Sequence, residues 1–324
     1  MHASDDTDSH GAPVSGPDSA ADIAIFAPAL LLNIELHRSV DESTEVHLHA
    51  GGQGYWVARM VQALGCRPHP CVCVGGESGV ALRALIEADG FDAWFTSTSR
   101  SNAVHVHDRR GDEIVSVIET EIPVLDRHEV DELYSSIIGA SLRAGVCVVA
   151  GTQLAPILSD DVFGRLVRDL RANDVTVIVD VCGEPLKVAL EAGVDVVKLS
   201  LDELLADGWA ASDDVADVRA GISKLREAGA RAVVVSRADQ PTIAASPDRM
   251  VEVRTPSLEV LDGRGGGDSM TAALAVGAAT GLDFDGSLRL AAGAAVLNIS
   301  RHGLGTGRLD AIAEIAERVE LHDC

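Results

Sequence analysis

The chain has 324 residues, 47% of them apolar and only 3% aromatic, with 31 glycines and a formal net charge of −24 at neutral pH. That is enough apolar material for a sizeable buried core, and with so few aromatics the packing must rest on Ala, Val and Leu, as in helix-covered parallel sheets. So negative a charge excludes a nucleic-acid-binding face, which needs clustered Lys and Arg against the phosphates.

The opening stretch MHASDDTDSHGAPVSGPDSA lacks the basic start and apolar core of a signal peptide, so residues 1–21 read as a disordered tail and 22–324 as the folded unit. From there, apolar runs bounded by turn residues recur: ADIAIFAPAL, CVCVGG, GVCVVAG, VTVIVDV, GVDVVKLS and ARAVVVS. Between them lie stretches of helical periodicity: GYWVARMVQALG, SGVALRALIEADG, SDDVFGRLVRDLRAND, GEPLKVALEAG and DDVADVRAGISKLREAG. Strand alternating with helix predicts an α/β fold with a mostly parallel central sheet flanked by helices.

Two segments break the rhythm, about 33–50 and 92–118, where polar and apolar residues alternate. They predict a small antiparallel sheet projecting as a lid, and because unpaired strand edges seek cover, a homodimer through that lid. His47 and His49 share one strand face, as do His105 and His107. With no Cys or carboxylate completing a zinc ligand set, they read as polar face residues. The six cysteines lack paired CxxC spacing and read as reduced thiols. No apolar stretch reaches the roughly 20 uninterrupted residues that cross a bilayer. The expectation is a cytoplasmic protein without membrane or nucleic-acid partners.

The last third carries LDGRGGGDSMTAALAVG. Gly265, Gly266 and Gly267 stand before a helix, where backbone N–H groups converge at a positive helix end. Asp268 opens that helix, beside the place a phosphoryl group would occupy and within reach of a substrate hydroxyl. Alone, a GGGD segment reads as a turn with an N-capping Asp. Its place after a run of α/β units and before a helix of small residues favours the chemical reading.

This segment resembles the C-terminal signature of PfkB carbohydrate kinases, a DTxGAGD loop before a small-residue helix. The resemblance implies Asp268 as the base, Gly265 to Gly267 as an anion hole and Asp262 as the leading acid on the nucleotide side; Gly263, Arg264 and Gly266 depart from the pattern. HAGGQGYWVARMVQALG resembles GGKGxNVAxxxxxLG, which puts Gly51, Gly52 and Gln53 against the substrate. VIVDVCGEPLKVALEAGVDVVKLSLDELLA resembles the stretch ending in KPNxxE of 1-phosphofructokinases and tagatose-6-phosphate kinases. It implies Lys198 and Ser200 on the nucleotide side, Ser200 replacing Asn, and Glu203 holding magnesium through water. VVVSRADQPTIAA resembles a nucleotide-side strand and turn, which adds Ser236, with Ala238 and Pro241 as departures. AAGAAVLNISRHGLGTG resembles the helix and glycine loop that flank adenine and, in some relatives, a potassium ion.

Arg100 and Asn102, in TSRSN, match a TRxN pattern whose arginine holds a substrate phosphate through bidentate hydrogen bonds. His37, Gln53 and Trp56 stand where the family contacts sugar hydroxyls, and Trp56 replaces a polar Asn, which implies an unusual acceptor. The expectation is a ribokinase-like kinase that phosphorylates a hydroxyl of a sugar or sugar phosphate, 1-phosphofructokinase-like, with ATP and Mg2+ and room for K+. Two alternatives stand beside it: a non-catalytic ligand-binding protein on the same fold, and a nucleoside or vitamin kinase with no need of Arg100. No GxGxxG follows the first strand and no GxxxxGK[ST] occurs, so dinucleotide oxidoreductases and P-loop kinases are excluded.

Overall fold

The computed structural model describes residues 20–324 apart from 112, 152–156 and 302, so the tail expected over 1–21 lies outside the described residues but for Ala20 and Ala21. Seven parallel strands form the body of a ten-stranded sheet: β1 (Asp22–Ala27), β4 (Arg67–Val74), β5 (Trp94–Ser97), β8 (Val146–Ala150), β9 (Thr176–Asp180), β10 (Val194–Ser200) and β11 (Ala230–Arg237). Antiparallel strands β12 (Gln240–Ala245), β13 (Met250–Arg254) and β14 (Glu320–Asp323) extend it past β11, in the order β14-β13-β12-β11-β10-β9-β8-β1-β4-β5.

Helices cover both faces, so the parallel strands are apolar on both. On β1, Ile23, Ile25 and Ala27 face one core while Ala24 and Phe26 face the other, the period-2 alternation of a strand. The first core is shared with α1 (Gln53–Ala63), α2 (Gly76–Ala88), α8 (Gly266–Thr280), α9 (Phe284–Ile299) and α10 (Leu309–Ala316). The second is shared with α3 (Arg127–Ala144), α4 (Asp161–Arg171), α5 (Gly183–Ala192), α6 (Leu201–Ala206) and α7 (Val215–Glu227). Among the described residues no helix is long and apolar enough to cross a membrane.

The separate small sheet is β3 (Thr44–Gly51), β2 (Leu31–Arg38), β6 (Ala103–Asp108) and β7 (Val115–Glu119), in that order. It corrects two expectations. Its central pair β2 and β6 is parallel, because the two strands come from different insertions and enter from the same side. Trp94–Ser97, expected in the lid, is instead strand β5 at the edge of the large sheet, where Arg143 lies over the Trp94 ring and Arg83 over the Phe95 ring. Register puts His47 and His49 on one flank of β2 and His105 and His107 on the other. A whole strand separates the pairs, roughly 10 Å across two strand spacings, and no metal-holding cluster occurs among the described residues.

Helix α1 is set by a close crossing. A Cβ on Gly54 would lie 2.2 Å from Cβ of Ala27, so the start of α1 rests directly on the end of β1. Gly54→Ala should cost about 1–3 kcal/mol through overpacking. The check is a lower urea midpoint at unchanged slope, and an unchanged midpoint would refute the close packing.

Candidate active site

The carboxyl ends of β9 and β10 meet the amino end of α8. Asp180 closes β9 and is 1% exposed; Lys198, near the end of β10, is 5% exposed. Lys198 Nζ lies 3.4 Å from both carboxylate oxygens of Asp180, and Thr271 Oγ1 of α8 donates to Asp180 Oδ2 at 2.5 Å. A Cβ on Gly267 would stand 2.5 Å from Lys198 Nζ, so the glycine there makes room for the ammonium. Burial alone would push the Lys198 pKa down, but Asp180, Glu203 and Asp268 surround it and raise it, which keeps it cationic.

Gly265 is the N-cap of α8 in the left-handed region at φ 73°. The next three N–H groups, of Gly266, Gly267 and Asp268, come before the first intrahelical bond, which Ser269 N donates to Gly265 O at 3.0 Å. Asp268 lies among them, half-buried, and its pKa is pushed up to about 7, first by desolvation, then by Asp180 and Glu203, with Lys198 pulling the other way. Ser200 and Glu203 form a capping box at α6: Glu203 Oε2 accepts from Ser200 N at 2.7 Å and from its Oγ at 2.8 Å. Ser200 is therefore a helix cap facing the same cluster. Ser236, beside it on β11, donates to Leu199 O at 3.4 Å.

The glycine loop is tied down by residues that sequence reasoning missed. Asn298, buried on α9, donates from Nδ2 to Arg264 O and accepts from Gly305 N, both at 2.9 Å, and so joins the loop before α8 to the loop after α9. Asp180 and Thr271 were also missed, although both lie inside motif strings; their polarity within apolar runs was the available signal. Asp262 is held by Arg264, whose Nε and Nη2 donate at 3.0 and 2.7 Å and keep its carboxyl below the usual range.

A cavity of about 790 Å³ separates lid from body, with Glu35, His49 and Arg109 of the lid facing Trp56, Arg59 and Arg264. Glu35 takes Arg109 Nε at 3.0 Å and His37 Nε2 at 3.0 Å. Burial would raise its pKa, but these partners hold it lowered.

The pfkB family carbohydrate kinase model matches residues 23–311. The chain belongs to this family. Tagatose-6-phosphate kinase of Staphylococcus epidermidis is 23% identical over 92% of this chain and 96% of its own length. Escherichia coli 1-phosphofructokinase is 28% identical over 85% of this chain and 88% of its own. Phosphofructokinase-2 from Escherichia coli, solved in complex with potassium, has a TM-score of 0.79 at 22% identity and covers 92% of this chain and 98% of its own. Arabidopsis thaliana ribokinase, solved with ribose and ATP, has a TM-score of 0.69 at 18% identity over 92% of this chain and 99% of its own. The fold is ribokinase-like, and the chain is a sugar kinase of the pfkB family.

Within that frame the structure brings together Asp268, Gly265 to Gly267, Lys198, Ser200 and Glu203. The acceptor-side positions are more scattered. A Cβ on Gly51 would meet Asn33 Nδ2 at 2.3 Å, and Gly52 sits at φ 119° with Ala29 O as close, so both glycines are steric requirements of the turn into α1. Gln53 Oε1 accepts from Gly151 N at 2.9 Å. His37 lies far along β2 and not near the end of the first strand. Arg100 is exposed on the loop after β5 and does not line the cavity.

Asn102 is buried with its amide occupied: Oδ1 accepts from Gly75 N at 2.8 Å, and Nδ2 donates to Leu30 O at 3.0 Å and Cys73 O at 2.9 Å. It clamps three backbone segments where the resemblance implied a substrate contact, and its amide is spent on the fold. Asn102→Ala leaves three buried backbone groups unpaired and should destabilise by about 2–4 kcal/mol. Chemical denaturation measures this, and a loss below about 0.5 kcal/mol would show that the clamp is not needed.

Proposed function

We propose that the chain is an ATP- and magnesium-dependent kinase that phosphorylates a hydroxyl of a sugar or sugar phosphate, with 1-phosphofructokinase-like activity as the nearest precedent. The observation that carries this is the position of Asp268: a carboxylate with a pKa near 7 in the first turn of α8, flanked by three N–H groups that precede the first intrahelical bond. In this reading Asp268 accepts the acceptor's hydroxyl proton as the oxygen attacks, and the N–H groups of Gly266, Gly267 and Asp268 hold the charge on the transferring phosphoryl. Lys198 keeps a fixed positive charge behind the loop. Ser200 and Ser236 border the nucleotide side, with Asp262 positioning the loop through Arg264.

Asp180, Glu203 and Asp268 against Lys198 leave an excess of negative charge, and the described residues offer no closed metal cage. The excess of acid fits a magnesium ion that Glu203 would hold through water. Such an ion would supply positive charge against the phosphates of the donor. The loop at 303–305, pinned by Asn298, is where potassium would lie. The intact Asp268 and glycine loop speak against a non-catalytic role. Six free thiols, four of them buried, suit a reducing cytoplasm.

Asp268→Asn should lower kcat by at least about 10³-fold with ATP, Mg2+ and the preferred acceptor. In the wild type kcat/KM should rise about tenfold per pH unit up to about 7 and then level, since the base works deprotonated. Stability should move the other way. The folded chain keeps the Asp268 proton up to about 7 and the unfolded chain loses it near 3.8, so the wild type loses stability as pH rises through that window. The Asp268→Asn substitution removes that loss, and the variant should be more stable than the wild type at pH 8 by at least about 1 kcal/mol. Unchanged turnover in the variant would end the assignment.

The outer face of the lid joins Ile34, Leu36, Val46, Leu48, Val106 and Ile118 across β3, β2, β6 and β7, with Val46, Leu48 and Ile118 exposed at 55%, 44% and 51%. We propose that the lid of a second copy covers it, since so contiguous an apolar face is rarely left in water. Leu48→Glu should convert a dimer to a monomer in light scattering at micromolar concentration; a dimer that persists would place the interface elsewhere.

A further inference from the structure

Three guanidinium groups line the cavity between lid and body. Two are neutralised: Arg109 by Glu35 at 3.0 Å and Arg264 by Asp262 at 2.7 Å. Arg59, on α1, makes no ion pair among the described residues; the third acid of the lining, Glu113, is exposed and pairs with none of the three. Its guanidinium carbon lies 5.8 Å from the centroid of the Trp56 ring and 6.0 Å from that of Tyr55. At that distance the rings attract the cation without covering its N–H groups, which stay able to grip an anion with two hydrogen bonds.

The surroundings hold Arg59 in place with no carboxylate in ion-pair contact among the described residues. A Cβ on Gly305 would lie 2.6 Å from Trp56 O and 3.0 Å from Arg59 Cβ, so the loop after α9 presses on the root of this side chain. Across the cavity His49 feels the charge of Arg59; burial first, and that charge among others, lower its pKa, so at neutral pH it presents an uncharged ring. Glu35 is the acid nearest His49, at 4.0 Å, and it is already taken by Arg109 and His37. In a chain of net charge −24, a cavity arginine without an acid beside it is a place for a ligand's negative charge.

We propose that Arg59, with His49 opposite, receives the anionic end of the acceptor, a phosphate or a carboxylate, while Trp56 packs against the carbon skeleton. This deepens the kinase reading and rests on it for the word acceptor. It assigns the substrate to acidic carbohydrates in preference to free sugars or nucleosides, and it gives Arg59 the task that resemblance gives to the exposed Arg100.

Calorimetric titration of the full chain without nucleotide tests the site apart from the reaction. Fructose 1-phosphate, fructose 6-phosphate and tagatose 6-phosphate are compared with fructose and tagatose, and gluconate with glucose. At least one charged ligand should bind and its neutral counterpart should not, and the member that binds distinguishes phosphate from carboxylate. Arg59→Met, which keeps an unbranched stem over Trp56, should weaken that binding by about 10- to 100-fold with an unchanged melting temperature. Wild-type affinity in Arg59→Met, failure of every charged ligand to bind, or a loss seen with Arg100→Met and not with Arg59→Met would each overturn the proposal. Binding that depends on Arg59 without phosphoryl transfer from ATP to any acceptor would leave the anion site standing and remove the kinase reading. Turnover of a charged acceptor with the same KM in Arg59→Met would do the reverse.

Discussion

One buried ammonium organises this site. Lys198 stands among Asp180, Glu203 and Asp268, three carboxylates from three elements that would repel one another without it. Its reach to Asp180 ties β10 to β9, its contact with Gly267 fixes how closely α8 can approach, and Thr271 completes the join from the helix side. A cation buried among carboxylates contributes little net stability, because desolvation offsets the attraction. Its value is positional: without Lys198 the carboxylates would be left to repel one another, so the amino end of α8 has one permitted place.

The same cluster sets the chemistry of Asp268. Desolvation and two like-charged neighbours raise its pKa, and Lys198 limits the rise, so the group is poised near neutrality and neither locked as an acid nor permanently ionised. The helix end and the Asp268 carboxylate are therefore one construction, since the glycines that free three N–H groups also admit the lysine that tunes the carboxylate. Asn298 holds this loop from behind through Arg264 O and Gly305 N. Gly263 and Arg264 depart from the family pattern, and here Arg264 turns back onto Asp262 to close the loop on itself.

Most of this architecture was legible because it rests on local periodicity. The alternating strand and helix runs located the parallel sheet, and the glycine run marked the start of α8. What was not legible rests on long-range register. Trp94–Ser97 has the composition of a lid strand, and only the apolar edge beside β4 decides its sheet. The parallel pairing of β2 with β6 joins residues far apart in the chain, as Leu31 with Ala103. Helix α3 carries a full capping box at Asp126 and Glu129, a signal present in the sequence but overshadowed by the mixed polarity of the residues that follow. Asn102 shows the limit of motif reading: its place in TSRSN is clear, but that its amide is spent on Leu30, Cys73 and Gly75 follows from chain segments that meet only in the fold.

An acidic chain that handles phosphates invites the objection that its own field repels them. The range of each interaction answers it. At physiological ionic strength surface charges are screened beyond about 8 Å, so the net −24 slows encounter modestly and decides little inside the cleft. There the local inventory governs: Arg109 pairs with Glu35 and Arg264 with Asp262, Arg59 makes no ion pair among the described residues, and the end of α8 adds the partial positive charge of its N–H groups. Both attractive features border the loop that carries Asp262 and Arg264, since Arg59 shares the cavity with that pair and α8 begins just beyond it. One ligand end held at Arg59 and a phosphoryl held at α8 would therefore bracket this loop, with Asp268 at the second end only. A kinase that recognises one end of a molecule and reacts at the other would use the two features in that way.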